Sequence, residues 1–154
     1  MDKRRLGNTG EMLSIIGFGG ILVMNETPAE ASRLVRDAVE ERGIKYFDVA
    51  PSYANAEERL GPALEPFRKS VFLACKTGQR SAEGATAELH KSLQQLRTDH
   101  LDLYQLHAVT TMADVDQIMG PGGALEAFVR AREEGKTRYL GFSAHSEEAA
   151  LALM

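Results

Sequence analysis

Four side chains of different chemistry stand at, or just after, the ends of apolar segments of this chain. Asp48 and Tyr53 follow one such segment. Lys76 comes directly after five apolar residues of the next segment, and His107 ends the one after that. Taken singly they indicate little, because polar groups at strand ends usually cap helices, pack against neighbours or face solvent. Together they would bring a carboxylate, a phenol, an amine and an imidazole to one place.

These four groups suit the protonation of a carbonyl oxygen. A phenol with a pKa near ~10 is a poor proton donor at neutral pH, but an adjacent ammonium stabilises the phenolate and lowers the pKa of a phenol. A carboxylate paired with the amine keeps it charged and aimed, and an imidazole can orient the carbonyl oxygen. Since no side chain supplies hydride, a nicotinamide cofactor would have to deliver it to the carbon.

The elements that must position these groups alternate along the chain. Apolar segments predict five strands, at 13–20, 44–50, 71–77, 101–107 and 137–145. Helical patterns lie between them, at 27–43, 55–64, 81–97 and 123–134, and another helix begins at Ser146. Thr27 and Asn55 are the expected caps of the first two helices, each with a glutamate three residues on, and Pro62 predicts a bend or an early end in the second. Regular alternation of strand and helix predicts parallel strands joined by crossover helices.

An open dinucleotide-binding sheet is the first alternative for such a pattern. Its first strand is normally followed by Gly-x-Gly-x-x-Gly, but residues 17–22 read GFGGIL, with leucine at the last glycine position. We therefore expect an α/β fold of the parallel (β/α)8 TIM-barrel type, in which reactive groups gather at the carboxyl ends of the strands. The chain supplies the first five strand–helix units of such a barrel. A short hairpin over 4–14, turning at 7–10, would close the bottom.

Several segments resemble the aldo-keto reductases, and more narrowly a bacterial branch of predicted oxidoreductases. They are FDVAPSY at 47–53 with EERLG at 57–61, CKT at 75–77 and DLYQLH at 102–107. The resemblance covers essentially the whole chain. It implies the reduction of an aldehyde or ketone to an alcohol with NADP(H), or the reverse reaction.

The resemblance also implies a role for each member of a catalytic tetrad. Tyr53 would be the general acid and Lys76 the group that tunes it. Asp48 would be the ion-pair partner of the lysine, and His107 would orient the substrate. The expected site contains no metal.

Residues for the cofactor are implied at the edges of the same site. The segment 17–20 resembles the cofactor-facing turn of the first strand, and Gly20 and Ile21 stand where many members have threonine and tryptophan. The segment GFSAH at 141–145 resembles the one that holds the nicotinamide carboxamide, so Ser143 is expected to bind there, together with Asp48. Ala144 departs from the family pattern, which commonly has asparagine at this position.

The length of the chain bears on its expected behaviour. A complete barrel needs roughly 250 residues, and here the fifth helix has no stop signal. We therefore expect residues 1–154 to be the amino-terminal part of one barrel domain, truncated within that helix, with most of the cofactor site in the missing half. The chain alone should turn over little NADPH. It should also associate with itself through the open edges of its first and fifth strands.

Composition excludes several other classes. A net charge of −4 and the absence of a basic run beyond residues 3–5 argue against nucleic acid as a partner. No apolar stretch reaches the ~20 residues of a membrane helix, and the amino terminus has no signal-peptide pattern. The single cysteine, Cys75, is expected to be structural filler facing the helices, and we place the chain in the cytoplasm. The partner that the resemblance implies is a small carbonyl compound.

Other functions stay open at this point. Lys76 could instead form a Schiff base in a lyase. Asp48, His107 and His145 could bind a metal, although no two histidines have the close spacing of such sites. A truncated barrel could also be a non-catalytic binding or regulatory subunit. The segment 108–122 is predicted as a long loop that either lines a substrate pocket or is a mobile connector.

Overall fold

The computed structural model describes residues 1–154 and contains seven strands and six α-helices. The strands are β1 (Lys3–Arg5), β2 (Met12–Ser14), β3 (Phe18–Gly19), β4 (Tyr46–Asp48), β5 (Phe72–Thr77), β6 (Leu101–Val109) and β7 (Thr137–Ala144). The helices are α1 (Pro28–Arg36), α2 (Ala56–Leu64), α3 (Ala82–Gln95), α4 (Met112–Met119), α5 (Ala124–Glu133) and α6 (Glu147–Leu153). None of the helices is both long and apolar enough to cross a membrane.

Strands β3 to β7 form one parallel sheet whose spatial order is the same as their order in the chain. Each strand is joined to its neighbour by a segment that contains at least one helix, as in a barrel. The expectation of a partial α/β barrel is therefore confirmed. Strands β3 and β7 are the two edges of the sheet and pair on one side only.

The two faces of the sheet have different partners. Along β6, Tyr104 and Leu106 are buried, and the Tyr104 hydroxyl donates to the Ala85 carbonyl in α3 at 3.1 Å. The alternate residues Leu103 and Gln105 are half-buried and face the side that would be the barrel interior. This alternation follows from the period of two of a strand, and it decides which side chains can reach a site inside the barrel.

The helix-facing side holds the hydrophobic core. The rings of Tyr104 and Phe128 stack with centroids 4.4 Å apart, and those of Phe18 and Phe47 lie 5.1 Å apart. Cys75 is completely buried on this side, as expected, and its thiol donates to Glu57 Oε1 at 3.3 Å. Each large apolar side chain buried in this way contributes about 1.5–3 kcal/mol, which makes the sheet a firm base for the loops at its ends.

Most helix starts follow the sequence signals. The side chains of Thr27, Ser81 and Ser146 each accept a hydrogen bond from the first turn of the following helix. Asn55 occupies the cap position of α2, but its Oδ1 accepts from the Asn25 backbone N–H at 2.8 Å instead of from the helix. Asn55 is therefore the N-cap residue, as predicted, but its side chain does not bind the helix, because a partner distant in sequence takes its oxygen.

The helix α2 contains Pro62 near its carboxyl end and does not stop at this residue. It runs to Leu64 and then continues as a 3-10 turn, Glu65–Ser70. An early end at Pro62 was therefore not observed.

Two predicted elements differ from the structure. The first barrel strand, expected over 13–20, is reduced to Phe18–Gly19, because residues 12–14 pair with β1 in the amino-terminal hairpin. Ser14 marks the break: its hydroxyl donates to the Ile16 carbonyl at 2.7 Å, a local bond that competes with the sheet ladder. The segment predicted as a loop, 108–122, contains the helix α4.

The helix α4 begins with a reciprocal capping box. The Thr111 hydroxyl accepts from the Asp114 N–H, and the Asp114 carboxylate accepts from the Thr111 N–H. Val115 and Ile118 are buried on one side of the helix. The sequence Thr-x-x-Asp at 111–114 is a helix-start signal, and it indicates a helix inside the segment that was predicted as a loop.

Candidate active site

The strands bring the four predicted catalytic residues to one end of the sheet, the carboxyl ends of β4, β5 and β6, which we call the rim. Asp48 is the last residue of β4, Lys76 lies one residue before the end of β5, and His107 lies near the end of β6. Tyr53 belongs to the turn after β4, where its N–H donates to the Ala50 carbonyl at 3.0 Å. The next residue, Ala54, has a left-handed backbone (φ 46°), which ends that turn before α2 begins.

The amine of Lys76 lies between an acid and a phenol. Its Nζ forms an ion pair with Asp48 Oδ1 and donates to the Val49 carbonyl at 3.4 Å. The same nitrogen lies 5.4 Å from the centroid of the Tyr53 ring. Because only 8% of the Lys76 side chain and 24% of the Asp48 side chain are exposed, water screens this ion pair weakly.

Two further side chains contact Asp48. The Tyr46 hydroxyl donates to Asp48 Oδ2 at 3.2 Å, and Gln105 Nε2 donates to the same oxygen at 3.4 Å. Burial, and then the charge of Asp48, raise the pKa of Tyr46, so this phenol stays protonated and remains a donor. Asp48 is thus held through both oxygens, which fixes the direction in which it presents its charge to Lys76.

The imidazole of His107 lies across from the phenol. Its ring is 5.9 Å from the Tyr53 ring, edge to face at 87°, and Nδ1 lies 3.4 Å from the Ser52 hydroxyl. Burial, followed by the nearby Lys76 ammonium, lowers the pKa of His107 below its ordinary value of 6.5. The neutral imidazole, which has one donor and one acceptor nitrogen, is therefore the form that this site favours.

A β-bulge presents His107 to the site. The register of β6 against β7 shifts between Leu106 and Val109, and Ala108 has a left-handed backbone (φ 51°). The Ala108 N–H donates to the hydroxyl oxygen of Ser143 in β7 at 2.9 Å. Bulges of this kind change the direction of a side chain next to a site.

The residues predicted to hold a cofactor flank the tetrad. Gly20 opens a 3-10 turn, Gly20–Val23, after β3, and a Cβ at this position would lie 2.8 Å from the Val49 side chain and 3.0 Å from the Asp48 carbonyl. The glycine is thus required by close packing against the β4 end. Ile21 is 49% exposed at the rim.

Ser143 fits the binding of a carboxamide. Its oxygen accepts the Ala108 N–H, so its own proton is free to donate to an amide oxygen such as that of nicotinamide. Arg80 binds Asp114 through Nε (3.2 Å) and backbone carbonyls through Nη2, while its Nη1 is buried without a partner. The residues present therefore fit the nicotinamide end of a cofactor.

Three contacts of the site were not predicted from the sequence: those of Tyr46, Gln105 and Arg80. The period of a strand could have found the first two. Tyr46 stands two residues before Asp48, and Gln105 two before His107, so each shares a face with a predicted site residue. The metal alternative finds no support, since no three His, Cys, Asp or Glu side chains are grouped as metal ligands.

The strands of the parallel sheet follow barrel order, and a polar cluster lies at their carboxyl ends. The protein is therefore a partial α/β barrel with a candidate active site where barrel enzymes have theirs. The chain belongs to the aldo/keto reductase family, whose sequence pattern matches residues 15–152. This agrees with the resemblance seen in the sequence.

Individual relatives support the assignment. The chain is 34% identical over 157 residues to the uncharacterized oxidoreductase YqkF of Bacillus subtilis, covering 93% of this chain and 49% of that protein. It is 30% identical over 158 residues to L-galactose dehydrogenase of Arabidopsis thaliana, covering 93% of this chain and 48% of that protein. The chain thus spans about half the length of these relatives.

A solved structure shows the same architecture. The holo form of the aldo-keto reductase AKR11C1 from Bacillus halodurans superposes with a TM-score of 0.80 at 34% identity, covering 94% of this chain and 51% of that one. The partial barrel described above therefore corresponds to about half of a reductase barrel.

Proposed function

We propose that this chain carries the catalytic side chains of an NADP(H)-dependent oxidoreductase that reduces an aldehyde or ketone to an alcohol. The observation behind the proposal is the position of the Lys76 amine, paired with Asp48 and 5.4 Å from the Tyr53 ring, with His107 across that ring. Family membership supports an oxidoreductase.

Proton transfer falls to Tyr53 in this proposal. Its phenolic O–H breaks as the carbonyl oxygen gains the proton, which leaves a phenolate beside the Lys76 ammonium. The Lys76 ammonium, which lies 5.4 Å from the centroid of the Tyr53 ring and is poorly screened by water, would stabilise that negative charge. Asp48 keeps the ammonium in place and so acts on the proton donor only through Lys76.

His107 would orient the substrate. A neutral imidazole can donate one hydrogen bond to the carbonyl oxygen while its other nitrogen accepts one, for example from the Ser52 hydroxyl 3.4 Å from Nδ1. This arrangement would direct the oxygen toward the Tyr53 hydroxyl. It favours geometry rather than proton transfer as the contribution of the imidazole.

The proposed cofactor would supply hydride to the carbonyl carbon. Ser143 would donate a hydrogen bond to the carboxamide, and the edge formed by Gly20 and Ile21 would bound the cofactor on the β3 side. Asp48 lies between these two borders. The remaining parts of a dinucleotide would require residues other than these.

The Schiff-base alternative receives less support from the geometry. A lyase lysine must present a free amine to a carbonyl carbon, whereas Nζ of Lys76 contacts both Asp48 and the Val49 carbonyl. A non-catalytic role is the remaining alternative, and a scaffold would not depend on one phenolic hydroxyl.

A matched pair of tyrosine variants tests the proposal. Because the chain spans half of its relatives, it is assayed alone and joined to the part of YqkF that the match does not cover. NADPH consumption and alcohol formation are measured with a small aldehyde. We expect little turnover from the chain alone. In the joined protein, Tyr53→Phe should lower kcat/KM by about 10²- to 10⁴-fold.

Tyr139→Phe is the control, because its hydroxyl donates to the Thr9 carbonyl at 3.2 Å and lies outside the proposed site. It should leave kcat/KM unchanged and lower the free energy of unfolding by about 1 kcal/mol. A folded joined protein that forms no alcohol, or whose rate ignores the Tyr53 hydroxyl, would contradict the proposal.

Self-association through the free edges of β3 and β7 is a separate proposal. Unpaired N–H and C=O groups along a strand edge favour pairing with another strand. Sedimentation velocity across a range of protein concentrations should show a mass that rises with concentration, and a monomer throughout would exclude it.

A further inference from the structure

Arg80 lies in the short connection between β5 and α3 and has no role in the mechanism above. Its backbone is held on both sides. The Gln79 N–H donates to Thr77 Oγ1 at 3.0 Å, and the Arg80 carbonyl accepts the Ala124 N–H at the start of α5 at 2.8 Å. The base of the side chain is therefore fixed relative to both β5 and α5.

The guanidinium of Arg80 contacts the segment that carries the imidazole. Nη2 donates to the His107 carbonyl at 2.9 Å and to the Ala108 carbonyl at 3.3 Å, while Nε donates to Asp114 Oδ1 at 3.2 Å. Only 13% of the side chain is exposed. Hydrogen bonds from a charged donor in a buried position are stronger than bonds between neutral groups.

These contacts meet a need created by the bulge. Ala108 has a left-handed backbone, which a non-glycine residue adopts only when its surroundings hold it there. The half-buried carbonyls of His107 and Ala108 lie at this bulge, and carbonyls shielded from water need donors. Arg80 supplies those donors from one side, and Ser143 accepts the Ala108 N–H from the other.

Asp114 links the same guanidinium to the helix α4. Its Oδ2 accepts from the backbone N–H groups of Thr110 and Thr111, both at 3.3 Å. The backbone hydrogen bond from Thr110, and then the bond from Arg80, lower the pKa of Asp114 to about 2, so the carboxylate is charged at all ordinary pH values. The segment between His107 and α4 is thus held at both ends.

We propose that Arg80 is a positioning residue, which fixes the bulge at Ala108 and thereby directs the His107 imidazole toward Tyr53. The catalytic meaning of this inference rests on the proposed function. The geometric part does not, because the bulge can be measured without any turnover.

Amide hydrogen exchange of the segment 106–111, followed by mass spectrometry, tests the geometric part on the 154-residue chain. Arg80→Met should raise the exchange rate of the Ala108 amide on the order of 10- to 100-fold, since bonds from a charged donor are lost. The matched control is Arg97→Met, which removes only the exposed ion pair with Glu65 at 3.4 Å. It should change the same rate by less than about twofold.

Arg80→Lys separates geometry from charge. A lysine keeps the positive charge but lacks the forked donors that reach two carbonyls and a carboxylate at once. We expect exchange at Ala108 between that of the unsubstituted chain and that of Arg80→Met. This variant also decides the question if Arg80→Met does not fold. Unchanged exchange at Ala108 in the folded variants would overturn the proposal.

The activity arm uses the joined protein described above. Arg80→Met should lower kcat/KM for the aldehyde on the order of 10- to 100-fold through a misplaced imidazole, with partial recovery in Arg80→Lys. A purely structural role would lower the melting temperature and leave kcat/KM of the folded protein unchanged, which would contradict the positioning role. If the unsubstituted protein reduces no carbonyl while exchange responds as expected, the proposed function fails and the geometric inference stands.

Discussion

Two aspartates at opposite ends of the same sheet, the half-buried Asp48 and the buried Asp102, invite comparison. Asp48 ends β4 at the rim, where its partners are the Lys76 amine, the Tyr46 phenol and the Gln105 amide. Asp102 lies near the start of β6, where its partners are the guanidiniums of Arg68 and Arg138 at 3.0 and 2.9 Å, and a backbone N–H at 2.9 Å.

The partners of Asp102 serve attachment rather than reaction. Arg138 also pairs with Glu11, and the Tyr139 hydroxyl donates to the Thr9 carbonyl, so that the network fastens the amino-terminal hairpin to the sheet. Guanidiniums keep their proton at any relevant pH. The position of the hairpin at this end agrees with the expectation that it closes the bottom of the barrel.

The partners of Asp48 lie in the proposed active site. The Lys76 amine that pairs with Asp48 also lies 5.4 Å from the centroid of the Tyr53 ring. Under the proposed function, the two sites use the same acid for different purposes, and the type of base beside each aspartate makes the difference. Three experiments can break or sharpen this contrast.

The largest effect is expected from the network around Asp102, at the end of the sheet that holds the hairpin. Asp102→Asn leaves Arg68 without a carboxylate partner, and Arg138 with Glu11 alone, in a place where the acid side chain is 6% exposed, and should lower the free energy of unfolding by about 3 kcal/mol. Asp48→Asn should lower it by at most about 1 kcal/mol, because the Asp48 side chain is 24% exposed, so water can replace part of the interactions that are lost. Urea titration of both variants measures the difference. Equal losses would remove the distinction between the two sites.

A smaller effect is expected at the start of α4, which borders the rim. Thr111→Ala removes the cap of a reciprocal capping box and should lower the free energy of unfolding by about 1 kcal/mol. The neighbouring Thr110→Ala loses only a 3.4 Å contact to Asp114 and should cost no more than a few tenths, about 0.3 kcal/mol. Thermal unfolding of the two variants at one pH gives the comparison. A larger loss in Thr110→Ala would show that the box does not stabilise this helix.

The smallest effect on stability concerns the protonation of His107 at the rim. Burial and the Lys76 ammonium lower the pKa of His107 in the folded chain, so the unfolded chain binds the proton more readily. Stability should therefore rise with pH between the folded pKa and 6.5, and this contribution should be flat above that range. NMR titration of the His107 imidazole should give a pKa below 6.5.

Two lysine variants identify the cause of the His107 shift. Lys76→Met removes the second cause and should move the pKa of His107 upward, while burial keeps part of the shift. Lys69→Met changes an exposed amine and should leave the titration as it is. An unchanged pKa in Lys76→Met would mean that the ammonium does not act on the imidazole.

The sequence was sufficient to predict the parallel strands and the convergence of four groups, because strand ends in parallel order must meet at one edge. It was insufficient for Arg80, whose partners include backbone carbonyls next to a bulge that no residue pattern predicts. Asn55 shows the same limit: its position at a helix start was evident, but its true partner, Asn25, is set by the tertiary fold.

The helix α4 was predictable in part. The capping box at Thr111 and Asp114 was readable in the sequence. The helix has only 8 residues, however; it contacts α5 and α6, and its Val115 and Ile118 belong to the hydrophobic core. Short helices of this length are stabilised mainly by tertiary contacts. Local sequence patterns therefore locate the first residue of α4 more readily than they predict that the helix forms.

The buried thiol of Cys75 has a practical consequence. It is the one cysteine of the chain, it is 0% exposed, and burial followed by the charge of Glu57 raises its pKa. An alkylating reagent can attack it only after the helices have moved away from the sheet. The rate of alkylation of Cys75 therefore reports how fast the helices separate from the sheet. The probe lies one residue from Lys76, and no label has to be engineered into the chain.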